Sequence, residues 1–505
     1  MLGMQMWAKA YPPNVALVVL TLFPGLINSG GLDGLAQAIA RSFASSTKIL
    51  AQAPVLSNAA FTFGIVLAAE LVRRIEIRRL YLTVLACDVV ALVATAFAAS
   101  PLAFIILTCI DGLFAGMFVV VALPPLLTNF GEEQFPASGA VLVPALFGAT
   151  MLGPLLAGQL TSGQAWRMLF AGDALVIALA FVLALFCVGE RPPKFADKPV
   201  DWFAMITTFC AIALIFTGAL NLATHTWAYL PALVPFALGV LVLAVFLAGE
   251  YFLRQPLIPI KEMLLALPVI GLAASAAGNA VFVADQRIFS LFLTHGAGWS
   301  ARAAGLAVWP EIGMSLLAGL TFFVAIKTRW LPRITVFGLF FLLAGTACLW
   351  FACAPAAPRI APAIVAMLAF SLGAGLTVTP GLFIAGLSVE TNLVARGIAA
   401  VELLRLTFGF ITAPGAQHTM LVHSGNEPAV ATFVTTGVAT GIAHAAAVHG
   451  LLAGMRWTLG YVGAGCIVAI VFTTVMLRIY YSRPEPPDLR AYMKEGRPAY
   501  ASPPL

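Results

Sequence analysis

The chain has 505 residues, of which 61% are hydrophobic and only 10% charged, with mean hydropathy +0.99 and net charge +6. A soluble domain carries roughly 25% charged residues, so a soluble enzyme built around one large core is excluded and most of the chain belongs in a bilayer. The excess positive charge sits in short loops between apolar runs, which points to membrane orientation and away from nucleic acid. The seven cysteines (Cys87, Cys109, Cys187, Cys210, Cys348, Cys353, Cys466) form no CxxC pair and no Cys/His cluster. They read as small core hydrophobes, and neither a metal nor another cofactor is implied.

A membrane-crossing helix needs about 20 apolar residues. Runs of that kind are predicted at 13–38, 50–72, 80–99, 101–128, 136–160, 167–189, 201–223, 228–252, 266–294, 302–326, 334–354, 360–388, 397–422 and 452–480. The seventh and eighth are separated at His225-Thr226-Trp227, and 425–450 reads as a long, mildly apolar outer loop. Met1 to Pro13 carries only Lys9 and offers no small-residue cleavage site, so no cleavable signal peptide is expected.

With fourteen spans and the N-terminus inside, nineteen Lys and Arg fall on inner segments and six on outer ones. The inner set includes the cluster Arg73, Arg74, Arg78 and Arg79, and the tail Arg478, Arg483, Arg490, Lys494 and Arg497; the outer set is Arg41, Lys48, Arg167, Arg302, Arg359 and Arg456. Arg287 and Arg405 lie within spans. This asymmetry is what the positive-inside rule predicts for both termini in the cytoplasm. A plasma membrane, of the bacterial inner-membrane kind, is the expected location.

The fifth run, LFGATMLGPLLAGQ, carries Gly148, Gly153, Pro154 and Gly158 inside the span, breaks at a polar turn and restarts at Trp166-Arg167. Small residues and proline are tolerated in lipid where helices pack closely or bend. A weak internal repeat accompanies it. Arg73–Arg79 between spans 2 and 3 is echoed by Lys327, Arg329 and Arg333 between spans 10 and 11, and Phe147-Gly148…Gly153-Pro154 by Phe408-Gly409…Pro414-Gly415. The reading is an all-α integral membrane protein with about fourteen transmembrane helices, two pseudo-symmetric six-helix bundles and two inserted central helices. Its parts are a cytoplasmic N-terminus (1–12), an N-terminal bundle (13–189), a linker with two extra helices (190–253), a C-terminal bundle (266–480) and a cytoplasmic tail (481–505). Duplicated halves place substrate near the midplane between them.

Several motifs carry a family resemblance. Gly153-Pro154-Leu-Leu-Ala157-Gly158 is similar to an antiporter motif GPxxGG, Trp166-Arg167-Met-Leu-Phe170 to a WRWIF stretch, Gly298-Trp299-Ser300…Ala304-Gly305-Leu306…Pro310 to GxS…AGLxxxP, and Leu32-Asp33-Gly34 to LDxT. Together they resemble the major facilitator superfamily, specifically its fourteen-span drug:proton antiporter family, over essentially the whole chain. Two stretches depart from that pattern. In the loop after span 2, Arg73 and Glu76 stand near the family's Asp and second Gly. In span 4, alignment on Gly112 puts Thr108 where the family has an Arg implicated in proton coupling, and Asp111 where it has Gln.

Ionisable groups inside a membrane are costly and mark sites. Asp111 lies close to the midplane of span 4. Glu311 directly follows Pro310, whose kink is expected to turn span 10 toward the cavity. Asp33 lies in the outer third of span 1. Glu402 and Arg405 share a helix face at i,i+3 and are expected to pair. Asp285 and Arg287 face different ways and need separate partners. Asp33, Asp111 and Glu311 are the proton or cation candidates. Asp88 and Asp173, taken as close to span ends, are assigned structural roles. The Arg73–Arg79 loop reads as an anchor or as a latch using Glu70 or Glu132-Glu133.

The first functional reading is a secondary active exporter of hydrophobic or amphipathic compounds by rocker-switch alternating access, coupled to protons. Its expected partners are a small-molecule substrate, the lipid bilayer and protons, with accessory efflux proteins as further candidates and no nucleic acid. Alternatives are a dedicated exporter of one metabolite or siderophore-like product, and a non-transporting membrane sensor. An enzyme is not expected, because no nucleophile, dyad or metal set clusters, and no GxxxxGK[ST] loop is present for an ATP-driven pump.

Overall fold

In hydrocarbon no water is available to the backbone, so each long apolar run must close its hydrogen bonds within itself as a helix. The computed structural model of the protein describes all residues except 1–10, 46, 51, 130–133, 191, 194–199, 223–228, 254–255, 328–329, 355–357, 426–429, 431–433, 435–441, 482–487 and 501–505. The N-terminal segment, the His225-Thr226-Trp227 break, Glu132-Glu133, much of the 425–450 loop, and Lys9, Arg191, Lys194, Lys198, Arg254, Arg329 and Arg483 fall wholly or largely outside the described residues.

The first half comprises α1 (Tyr11–Ser42), α2 (Gln52–Leu71), α3 (Ile77–Ala96), α4 (Pro101–Asn129), α5 (Phe135–Gln159) and α6 (Arg167–Cys187). The inserted pair is α7 (Trp202–Leu222) and α8 (Leu230–Phe252). The second half comprises α9 (Ala266–Leu291), α10 (Ala301–Ala307 continuing as Pro310–Lys327), α11 (Leu331–Ala352), α12 (Ile360–Leu387), α13 (Val394–Val422) and α14 (Ile442–Tyr481), followed by the short α15 (Leu489–Glu495). Among the described residues, 13 of these helices are long and apolar enough to cross a membrane, and α13, with 29 residues, is long enough to do so as well.

The packing repeats between halves. α1 lies on α5, α4 and α6, and α9 lies on α13, α12 and α14 in the same way. The pairs α2–α4, α3–α4 and α3–α6 likewise recur as α10–α12, α11–α12 and α11–α14. The halves meet through α5 on α10 and α2 on α13, and α7 packs on both α2 and α13 over that second seam. α8 packs chiefly on α7. It presents Leu230, Val234, Leu241, Val245 and Phe252 outward, an apolar exterior suited to lipid.

The face carrying the Arg73–Arg79 loop is called the basic face below. There Glu70 is fully buried, bonded to Arg74 and, at 3.3 Å, to Arg73, and it accepts the backbone N–H of Asp201 at 3.1 Å. Glu70 therefore ties the end of α2 to the start of α7. Arg78 donates to Leu185 O at 3.1 Å and lies 3.5 Å from Glu190, while the exposed Arg79 pairs with Glu76.

Two local predictions need correction. Span 10 is not a continuous bent helix: a turn at Val308-Trp309 divides it, and Pro310 opens the second piece, where its missing N–H costs nothing. The outer loop is shorter than 425–450, because α14 already begins at Ile442. Its first turns, IAHAAAVHG, are alanine-rich and helix-favouring but only mildly apolar, so they did not read as part of a span. At 40 residues α14 measures about 60 Å, twice a bilayer core. In the tail, the stretch around Gly496–Tyr500 lies against the protein: Ala499 N donates to Leu387 O at 2.8 Å, and Thr391 N to Gly496 O at 3.1 Å. Tyr492 and Tyr500 are buried there, and desolvation pushes both phenols up.

Candidate functional site

A cavity of about 1930 Å³ lies between the two halves. It runs from side chains in the basic half of the molecule, such as Leu123, Leu382 and Glu402, to the far-face segments at Trp299, Pro358 and His444. Its wall is mainly apolar, with Phe61, Phe147, Phe282 and Phe289 among the lining residues. Phe147 of α5 and Phe282 of α9 meet edge to face at 5.1 Å, so one aromatic pair joins the halves across the cavity wall.

At its floor Arg405 and Glu402 form the ion pair expected from their spacing, with Arg405 Nε 3.1 Å from each carboxylate oxygen. Arg405 Nη1 also donates to Asn279 Oδ1 at 3.0 Å, and Asn279 Nδ2 returns a bond to Arg405 O at 3.3 Å. Asn279 was missed by the sequence reading. Gly409, one helical turn beyond Arg405, makes room for it: a Cβ there would stand 1.9 Å from Asn279 Nδ2.

Nearer the far face, Asp33 of α1 approaches Arg287 of α9 at 4.0 Å, and Arg287 donates to Gln417 at 3.4 Å. This is a contact between the halves. Both side chains line the cavity and remain partly solvent-exposed.

Asp111 and Glu311 are not on the cavity wall. Glu311 sits in the first turn of the second piece of α10, sealed beside Gln286, with neither carboxylate oxygen hydrogen-bonded among the described residues. The expected cavity-facing kink does not form, because Pro310 starts a helix there instead of bending one. Asp285 points into the C-terminal bundle and accepts from Thr346 Oγ1 at 2.6 Å, leaving its other oxygen without a partner among the described residues. Asp285, Gln286 and Arg287 thus address the bundle core, Glu311 and the cavity in turn.

Asp111 points into the N-terminal bundle and accepts from Asn28 Nδ2 at 3.2 Å. Asp88 of α3 lies beside it, and Asp173 of α6 lies beside Asn28. The sequence reading placed Asp88 and Asp173 near span ends. Asp88 is in fact the twelfth residue of a 20-residue helix, and the crossing of α3, α4 and α6 brings the three acids together. Depth measured from one face was the available signal: all three lie about 9–15 Å from the far-face ends of their helices.

The glycines of α5 serve two neighbours. A Cβ on Gly153 would stand 2.4 Å from Ile27 O and 2.5 Å from Gly31 N, so Gly153 lets α1 and α5 touch backbone to backbone inside one half. Gly158 faces the other half, 2.9 Å from Ala301 O and 3.1 Å from the Cα of Gly305 by the same measure, and Gly148 faces Ser315 of α10. Pro154 O lies 2.9 Å from a Cβ built on Gly305. Beyond α5, Trp166 donates to Ser42 at 3.0 Å, and Arg167 donates to the carbonyls of Ala96 and Ala98 at 2.6 and 2.9 Å, joining the far-face ends of α1, α3 and α6.

No protein-family model matches the chain. Among curated proteins it is 23% identical over 429 residues to the uncharacterized MFS-type transporter YubD of Bacillus subtilis (strain 168), covering 79% of this chain and 78% of that one. It is 30% identical over 253 residues to the cephamycin export protein CmcT of Amycolatopsis lactamdurans, covering 48% of this chain and 51% of that one. Among solved structures it is similar to the human organic anion transporter MFSD10, with TM-score 0.58 and 14% identity over 93% of this chain and 99% of the other. Paired helical bundles around a central cavity make this a multi-pass helical membrane fold. The fold is the one this solved transporter has, and the curated relatives are named as an MFS-type transporter and an export protein.

Proposed function

We propose that the chain is a secondary active exporter of hydrophobic or amphipathic compounds, of the fourteen-span drug:proton antiporter type, working by rocker-switch alternating access. The observation that carries this reading is the large, mainly apolar cavity between two similarly packed halves, with a fixed Glu402–Arg405–Asn279 group at its floor. Such a wall desolvates an apolar skeleton, while the few polar groups orient it. The cavity reaches the far face, whereas Ile65, Val66 and Ala69 of α2 and Ile398, Val401 and Leu403 of α13 belong to one continuous apolar core toward the basic face.

By the positive-inside rule the basic face is cytoplasmic, so this arrangement faces outward across a plasma membrane, with both termini inside. Relatives named as an export protein and as a methylenomycin A resistance protein support the outward direction. Asp33, which lines the cavity, and the buried Asp111 and Glu311 are the proton candidates. The likeness to a cephamycin export protein favours, as a second reading, export of a single metabolite.

The test is efflux of an apolar fluorescent dye from cells expressing the protein, with and without a protonophore. Uncoupler-sensitive efflux above the vector control is the expected result. Dye retention equal to the control for apolar and amphipathic probes alike would remove the exporter reading.

A further inference from the structure

We propose that Asp88, Asp111 and Asp173, with Asn28, form a proton-binding site enclosed in the N-terminal bundle and served from the cavity across α1. The four side chains come from α3, α4, α6 and α1 and are each no more than 5% exposed. Asp88 and Asp111 come close enough for their carboxyls to act on each other, and two buried carboxyls so placed repel unless a proton lies between them. Asn28 is the second, independent pointer. Its Nδ2 is used on Asp111, while its Oδ1, like Asp88 Oδ1 and Asp173 Oδ2, has no hydrogen-bond partner among the described residues. Buried acceptors of this kind are normally satisfied, and a protonated Asp173 beside Asn28 supplies the O–H that Asn28 Oδ1 lacks.

No Lys, Arg or His among the described residues acts on the cluster; the other titratable group beside it is the Cys87 thiol. Three ionised carboxylates without a cation would be prohibitively costly in this setting. Two protons, one shared by Asp88 and Asp111 and one on Asp173, reduce the cluster to a single negative charge, which the Asn28 N–H meets. Loading is the transfer of a proton from a hydronium ion in the cavity to a carboxylate oxygen, leaving water; release is the reverse. The route is short. Ser29, next to Asn28, bonds to Asn58 at 3.3 Å, and both line the cavity wall. A modest turn of α1 therefore exposes the cluster to cavity water.

The link from this site to transport rests on the exporter reading, but proton holding itself does not, and the experiment separates them. The full-length protein in nanodiscs is studied by infrared difference spectroscopy, in a D285N/E311Q background so that the remaining carboxylic-acid carbonyl signal reports the N-terminal bundle. A protonated carboxylic band at neutral pH, reduced in each of D88N, D111N and D173N, is expected. A band absent from the background protein, unchanged by all three substitutions, or abolished by sodium at constant pH would overturn the proposal. In everted vesicles D111N is expected to reduce pH-gradient-driven dye uptake more than about tenfold while leaving gradient-free dye exchange within about twofold. Equal loss of both would overturn the coupling role. Absence of exchange in the unmutated protein would count against the exporter reading alone, and the infrared result would still decide the site.

Discussion

Gly158→Ala tests whether the contact between α5 and α10 sets the balance between conformations. The added Cβ would stand 2.9 Å from Ala301 O, where ordinary contact begins at 3.4 Å, and 3.1 Å from the Cα of Gly305. Both obstacles are main-chain atoms on the opposite half, so no side chain can swing aside, and the helices must part by about 0.5 Å at a cost of about 1–3 kcal/mol. If this contact belongs to the arrangement with the cavity reaching the far face, the penalty falls on that state alone. A bias of that size changes its population relative to the alternative by about 5- to 150-fold. The assay is the labelling rate of Gln52→Cys, which lines the cavity, by a membrane-impermeant maleimide, with the exposed Cys87 and Cys210 replaced by Ser. Gly158→Ala should slow labelling at least fivefold. Gly153→Ala, whose clash lies inside one half, should lower thermal stability and leave the labelling rate unchanged. Equal labelling in the parent and the Gly158→Ala protein would refute the reasoning.

Three further outcomes follow from the site. Glu402→Gln leaves the Arg405 charge nearly buried and without a counter-charge among the described residues, and should destabilise the protein by about 3–5 kcal/mol. The double variant Glu402→Gln/Arg405→Gln should recover most of that loss in detergent melts. Arg167→Gln removes charge-assisted bonds to the carbonyls of Ala96 and Ala98, each worth about 1.5–3 kcal/mol, and should lower the melting temperature without altering dye affinity. Arg287→Gln breaks the Asp33 contact between the halves and should raise the Gln52→Cys labelling rate from the far face; an unchanged rate would remove Arg287 as a gate.

The helical frame was legible because hydropathy reports length and the bilayer fixes the length required: every predicted run coincides with a long helix to within a few residues, α14 and the divided α10 excepted. The Glu402–Arg405 pair was legible for the same kind of reason, since i,i+3 spacing is a property of one helix. Asn279, Asp88 and Asp173 were not, because their importance depends on which faces of separate helices converge. The Asp111 reading found one member of a cluster whose other two carboxyls come from α3 and α6. Likewise Pro310 is visible in sequence, but whether it bends a helix or starts one depends on packing around Glu311.

Asp285, Gln286 and Arg287 are consecutive on α9, and successive side chains of a helix are turned by about 100°. One contacts Thr346 of α11, the next lies beside Glu311 of α10, and the third approaches Asp33 in the other half. Together they span about 200° of the helix circumference, so α9 is held much as a key is held by three wards. Turning it to free the Asp33 contact must also move the other two side chains. Opening of the far-face mouth and rearrangement of both buried acids in the C-terminal bundle are, mechanically, one event.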